Sequence, residues 1–172
     1  MDNVFKKKMK NRHPMFGLFM VSNALQTAEA LAGSGFDYLC FDLEHSPSSM
    51  PALHAQLAAL ASTSTASMVR LTGLNLAEIK HCLDLGVAAL MIPNVHTAEH
   101  ARRAVEYTRY PPAGGIRGMG GTMRATRYGR DKHYYASAAD NTCLVVQIES
   151  REGLQNLDDI CAVPGLDMIF FG

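Results

Sequence analysis

The 172-residue sequence is 48% hydrophobic and 19% charged, the composition of an ordinary globular domain with enough apolar residues for one substantial core. Sixteen basic residues balance sixteen acidic ones, so no global field draws the chain to nucleic acid or to an anionic membrane. The longest apolar stretches, 88–93 and 168–171, fall far short of the ~20 residues of a membrane span, and a cytoplasmic protein is expected.

In chain order, the basic cluster Lys6, Lys7, Lys8, Lys10 and Arg12 reads as a solvated end. Residues 16–21 read as a strand, followed by Ser22 or Asn23 as N-cap of a helix with Ala24, Ala28, Leu31 and Ala32 on one stripe. A second strand, 37–43, is apolar nearly throughout, as a parallel strand covered on both faces should be. Ser49 caps the next helix, with Pro51 in its first turn and Leu53, Leu57 and Leu60 inward. Strand three covers 67–71, and Asn75 with Glu78 three positions later forms a capping box for a helix burying Ile79, Cys82 and Leu83. Strand four covers 87–92, and Thr97 caps a helix that ends near Tyr110-Pro111-Pro112. An irregular, glycine-rich segment over 113–141 follows, of a length that signals a functional loop. Strand five covers 143–149, Ser150 caps a helix with Leu154, Leu157 and Ile160, and Pro164-Gly165 turns into strand six at 167–171.

This alternation predicts right-handed βαβ crossovers and a parallel sheet, leaving a doubly wound sheet and a barrel both open. A (β/α)8 TIM barrel needs eight units and typically ~250 residues, whereas residues 1–172 supply about six units of one incomplete barrel domain.

In such folds the reactive groups gather at the carboxyl ends of the strands. Strand two ends in Asp42-Leu43-Glu44-His45, strand three in Arg70, strand four in Asn94 and strand five in Gln147-Ile148-Glu149. Period two puts Asp42 and Glu44 on one face, and likewise Gln147 and Glu149. Carboxylates in a barrel mouth must be paired or bound to a cation, and a divalent metal or Arg70 fills that role. His45 is the natural proton-transfer group, with Asp42 three positions earlier placed to hold its other ring nitrogen. No lysine stands at a strand end, which argues for metal activation over imine chemistry, although strands beyond the six can hold one.

The glycine-rich loop lacks a nucleotide fingerprint. Its glycines are expected to turn the chain beside the pocket, with Arg124 or Arg127 meeting an anionic substrate end or a neighbouring subunit. His96 and His100 have metal-compatible spacing but no nearby third ligand. Cys40, Cys82, Cys143 and Cys161 read as reduced core residues.

Six motifs together resemble the HpcH/HpaI family of class II 2-oxo-acid aldolases, which includes 4-hydroxy-2-oxoheptanedioate and 2-dehydro-3-deoxyglucarate aldolases. They are Ala-Gly-Ser-Gly-Phe-Asp-Tyr (32–38), Asp-Leu-Glu-His-Ser-Pro (42–47), Val-Arg (69–70), Ile-Lys-x-x-Leu-Asp-Leu-Gly (79–86), Arg-Tyr-Pro-Pro-Ala-Gly-Gly-Ile-Arg-Gly (109–118) and Val-Gln-Ile-Glu-Ser-Arg-Glu (146–152). The resemblance implies Glu149 as a metal ligand, His45 with Asp42 handling the proton, and Arg70 polarising the pyruvate oxygen. It also implies Gln147 beside the ligand, the Gly172 backbone near the pyruvate carboxylate, and Glu44 just outside the ligand sphere. The implied cofactor is Mg2+ or Mn2+, with Co2+ as a further candidate. The implied reaction is reversible aldol cleavage of a 4-hydroxy-2-oxo acid to pyruvate and an aldehyde through a metal-stabilised enolate, in a homo-oligomer. In the family a Pro-x-Asp-Leu motif with a second metal ligand follows the position of Gly172, so a catalytically silent subunit is the alternative expectation. A CoA-ester lyase of the same superfamily is a third, for which no residue recognises CoA.

Overall fold

The structure is a computed structural model that describes residues 3–172. Six parallel strands form one sheet in the order β1-β2-β3-β4-β5-β6, curling into a half-barrel. They are β1 (Gly17–Met20), β2 (Tyr38–Asp42), β3 (Ala66–Arg70), β4 (Ala89–Ile92), β5 (Cys143–Ile148) and β6 (Met168–Phe171). Sequential strands are neighbours throughout, which is barrel connectivity rather than the reversed order of a doubly wound sheet.

The connecting helices are α2 (Leu25–Leu31), α3 (Met50–Leu60), α4 (Leu76–Asp84), α5 (Ala98–Thr108), α6 (Tyr134–Asn141), α7 (Arg151–Gln155) and α8 (Leu157–Cys161), preceded by α1 (Val4–Lys10). Leu53, Leu57, Ile79, Leu83, Ala101, Val105 and Ile160 pack with Leu39, Phe41, Leu90, Leu144 and Val146 in the layer between helices and sheet. The alternate strand residues Cys40, Met68, Ala89, Met91, Cys143 and Val145 form a second cluster with Phe5 of α1, inside the barrel. Period two therefore divides every strand between two cores. Burial pushes the thiols of Cys40, Cys82 and Cys143 up to about 12, as expected of packing residues; Cys161 is exposed.

Ser49, Asn75, Thr97 and Ser150 cap their helices as the sequence predicts. Asn75 accepts from the amides of Ala77 and Glu78, but Glu78 does not reciprocate: its carboxylate accepts from the Thr72 amide and hydroxyl, so no capping box closes. The cap of α2 is Ala24, whose amide donates to the Ser22 hydroxyl instead of a Ser or Asn side chain closing the helix.

Two larger expectations are corrected. The basic segment keeps Lys7, Lys8, Lys10 and Arg12 exposed, but it is ordered as α1, with Phe5 edge-on to Tyr38 and Lys6 buried against Asp167 at 2.9 Å and the Thr142 carbonyl at 2.6 Å. The segment 113–141 is not wholly irregular, since it contains a 3-10 turn at Arg124–Thr126 and all of α6. Arg124 does not face a substrate end: it donates to the carbonyls of Leu57 and Leu85, tying the loop to the helix ends that precede β3 and β4.

Candidate active site

The face that carries the inner core ends in polar residues. Continuing the alternation, Cys40 leads to Asp42, Met68 to Arg70, and Val145 to Gln147 and then Glu149. Asp42 and Arg70 are partners in the β2–β3 register, so their side chains emerge together. Arg70 donates to Asp42 through Nε at 2.9 Å and Nη2 at 2.7 Å, while its guanidinium lies 4.8 Å over the Phe19 ring. The Asp42 side chain is fully buried. Burial pushes its pKa up, but the Arg70 fork and the amides of Glu44 and His45 outweigh that and hold it below the usual carboxylate range.

Asp42 organises the turn that follows it. Its Oδ1 accepts from the amides of Glu44 at 3.0 Å and His45 at 3.4 Å, and its carbonyl accepts from the Ser46 hydroxyl. The expected contact of Asp42 with a His45 ring nitrogen is therefore replaced by a backbone contact, because Arg70 takes up the carboxylate oxygens. The imidazole Nε2 lies instead 3.6 Å from Glu44 Oε2, with the His45 side chain 69% exposed toward the mouth. Glu44 Oε2 is also 3.4 Å from Arg70 Nε.

On the other side of the mouth, Glu149 follows β5. Its Oε1 accepts from the Asn94 amide at 2.9 Å and its Oε2 from Gln147 Nε2 at 2.6 Å. Asn94 Nδ2 reaches Glu44 Oε1 at 3.4 Å, joining the two halves. The end of β6 completes the wall: a Cβ on Gly172 would stand 2.6 Å from Gln147 Nε2 and 3.0 Å from Glu149 Oε2, so only glycine lets the backbone come this close. Asp42, Glu44, His45, Arg70, Gln147, Glu149 and Gly172 are thus brought to one end of the barrel.

The donor set suits a hard divalent cation. Glu149 offers a carboxylate, Gln147 Oε1 is buried with no hydrogen-bond partner, and the same holds for Glu44 Oε2. All are oxygens, the donors that Mg2+ and Mn2+ take. Among the described residues no three His, Cys, Asp or Glu side chains gather closely enough to cage an ion.

Other polar features lie outside. His96 Nδ1 pairs with the Ser150 hydroxyl at 2.7 Å and His100 Nδ1 accepts from the His96 amide, which leaves them in local structural roles. A cavity of about 1170 Å3 opens at the opposite end, lined by Ala66, Ala88 and Thr142 at the strand starts and by Arg124 and Lys132. The glycine-rich loop therefore borders that end and not the mouth that carries Asp42, Arg70 and Glu149. Sequence reasoning missed Arg117, which is fully buried, bonded to Asp84 at 2.7 Å and stacked 4.5 Å from the Tyr110 ring. It also gave Asn94 no role beyond a strand end, although asparagine is the non-glycine residue that most readily turns left-handed.

A family model described as HpcH/HpaI aldolase/citrate lyase matches residues 15–172. A 4-hydroxy-2-oxo-heptane-1,7-dioate aldolase of Klebsiella pneumoniae is 44% identical over the whole chain, which spans 65% of that relative's length. Among solved structures, an HpcH/HpaI aldolase/citrate lyase family protein from Burkholderia cenocepacia superposes with a TM-score of 0.95 at 34% identity, over 99% of this chain and 68% of that one. An HpcH/HpaI aldolase from Desulfitobacterium hafniense gives 0.86 at 26% identity, over 97% and 64%.

Proposed function

This chain belongs to the HpcH/HpaI aldolase/citrate lyase family, and from that premise we propose that it serves a divalent-metal-dependent aldolase that cleaves a 4-hydroxy-2-oxo acid reversibly to pyruvate and an aldehyde. The observation that carries this reading is the joining of Glu149, Glu44, Arg70 and His45 through Asn94 and Asp42 at one barrel mouth. Mg2+ or Mn2+, with Co2+ a third candidate, would be held by Glu149, and when bound it supplies Lewis acidity toward the oxygens of a 2-oxo acid.

The protein's own groups perform the rest. Arg70 is held rigid by Asp42 and by the Phe19 face, so its charge is in place before a 2-oxo acid arrives. A guanidinium already neutralised on one edge by Asp42 still offers Nη1 and part of Nη2 to a keto oxygen. His45 stands where its imidazole can take a proton from the methyl carbon in the synthetic direction, or from the 4-hydroxyl in cleavage, and return it. Asp42 sets the turn that aims His45, and Glu44 Oε2 lies 3.6 Å from its Nε2. Gln147 and the Gly172 backbone shape the wall against which a carboxylate would lie.

The small-molecule partners are pyruvate and an aldehyde, in a cytoplasmic homo-oligomer. None of the described helices is long and apolar enough to cross a membrane.

Deuterium exchange into the methyl group of pyruvate in D2O tests the reading. Exchange is expected only with a divalent cation and is expected to vanish in His45→Ala. Exchange that ignores the cation contradicts it, and no exchange at saturating Mn2+ favours the catalytically silent alternative.

A further inference from the structure

Asn94 occupies an unusual place at the mouth. Strand β4 pairs with β5 as far as Ile92 opposite Val146, and the Val95 amide returns to the Gln147 carbonyl at 3.3 Å. Between them stand Pro93, which has no amide proton, and Asn94, whose φ of 57° is left-handed. The left-handed step lifts the Asn94 amide out of the ladder, and a backbone N–H removed from its strand partner needs another acceptor. Glu149 Oε1 supplies it at 2.9 Å.

With Gln147 donating to Oε2, each Glu149 oxygen has one lone-pair direction committed, and the direction of the others follows. The Asn94 amide side chain meanwhile reaches Glu44 Oε1, whose other oxygen faces Arg70 and His45. One residue thus touches a carboxylate 55 positions away just after β5 and another 50 positions away after β2. Asn94 links the Glu149 carboxylate, through its backbone amide, to the Glu44 carboxylate, through its side chain.

We propose that Asn94 is a positioning residue: its left-handed backbone presents the amide that orients Glu149. The role in cation binding rests on the reading of Glu149 as a metal ligand; the positioning itself does not. Valine strongly disfavours the left-handed region, while glycine adopts it freely and keeps the N–H.

Two measurements on the full chain decide it. Without metal, hydrogen exchange of the Asn94 amide is expected to be slowed, to become fast in Glu149→Ala and to stay slow in Glu44→Ala. In Mn2+ titrations, Asn94→Val is expected to weaken binding by about tenfold or more and Asn94→Gly by less than about threefold, with melting curves showing that both fold. An Asn94 amide that exchanges equally fast in wild type and Glu149→Ala overturns the proposal, and so does Asn94→Val binding Mn2+ like wild type. If the exchange pattern holds but wild type binds no Mn2+, positioning by Asn94 is supported and the metal reading of Glu149 fails.

Discussion

Asp42 and Arg70 sit opposite each other in register at the ends of β2 and β3, joined by hydrogen bonds of 2.9 and 2.7 Å with the Asp42 side chain wholly out of water. Removing one member strands the other's charge. Arg70→Ala is therefore expected to destabilise the fold by about 3–5 kcal/mol, as for other broken buried pairs. The double variant Asp42→Ala/Arg70→Ala should be less destabilised than the sum of the singles, since neither charge is left unpaired. Chemical unfolding of the four proteins checks this.

The same pair gives a pH dependence. Asp42 is held below its unfolded value of about 3.9. A carboxyl depressed in the folded state contributes stability that is fully present above the unfolded value and is lost as pH falls through the folded one. Urea midpoints should thus fall from pH 5 toward pH 3 more steeply in wild type than in Asp42→Asn. Equal slopes would show that Asp42 carries no such linkage.

At Gly172, the missing Cβ leaves space that Gln147 Nε2 and Glu149 Oε2 border at 2.6 and 3.0 Å. Gly172→Ala is expected to push Gln147 off Glu149 and weaken Mn2+ binding by about tenfold or more, an effect on the order of that seen when groups supporting a ligand are disturbed. Calorimetric titration gives the affinity. A change confined to melting temperature would mean that Gly172 matters only for packing.

Arg117 offers a control outside the mouth. It is fully buried, bonded to Asp84 and Tyr134, and stacked on Tyr110. Arg117→Ala is expected to cost about 3–5 kcal/mol of stability, through the stranded Asp84 and the lost packing together. Thermal unfolding tests it, and a drop below about 1 kcal/mol would contradict a structural role for this arginine.

Much of the site was legible before any coordinates. Runs such as Leu-Cys-Phe-Asp and Leu-Val-Val-Gln-Ile-Glu mark strands buried on both faces, and period two assigns Asp42, Gln147 and Glu149 to the inner one. What Asp42 bonds to was not, because its partner lies 28 residues away and is chosen by the β2–β3 register, which no local pattern encodes. Helix α1 was hidden for a related reason: among its lysines only Phe5 is a large buried apolar residue, and it finds its place against Tyr38 in another element. Asn94 escaped because a left-handed residue after proline is a tertiary outcome, stabilised here by Glu149.

Whether the acidic, imidazole and guanidinium groups meet at a cation is tested most directly by Mn2+ titration with and without pyruvate, in wild type and Glu149→Ala. Binding is expected to tighten when pyruvate is present and to be lost when the Glu149 carboxylate is removed. Mn2+ affinity that is the same in both proteins, with or without pyruvate, would contradict a cation site at this end of the barrel.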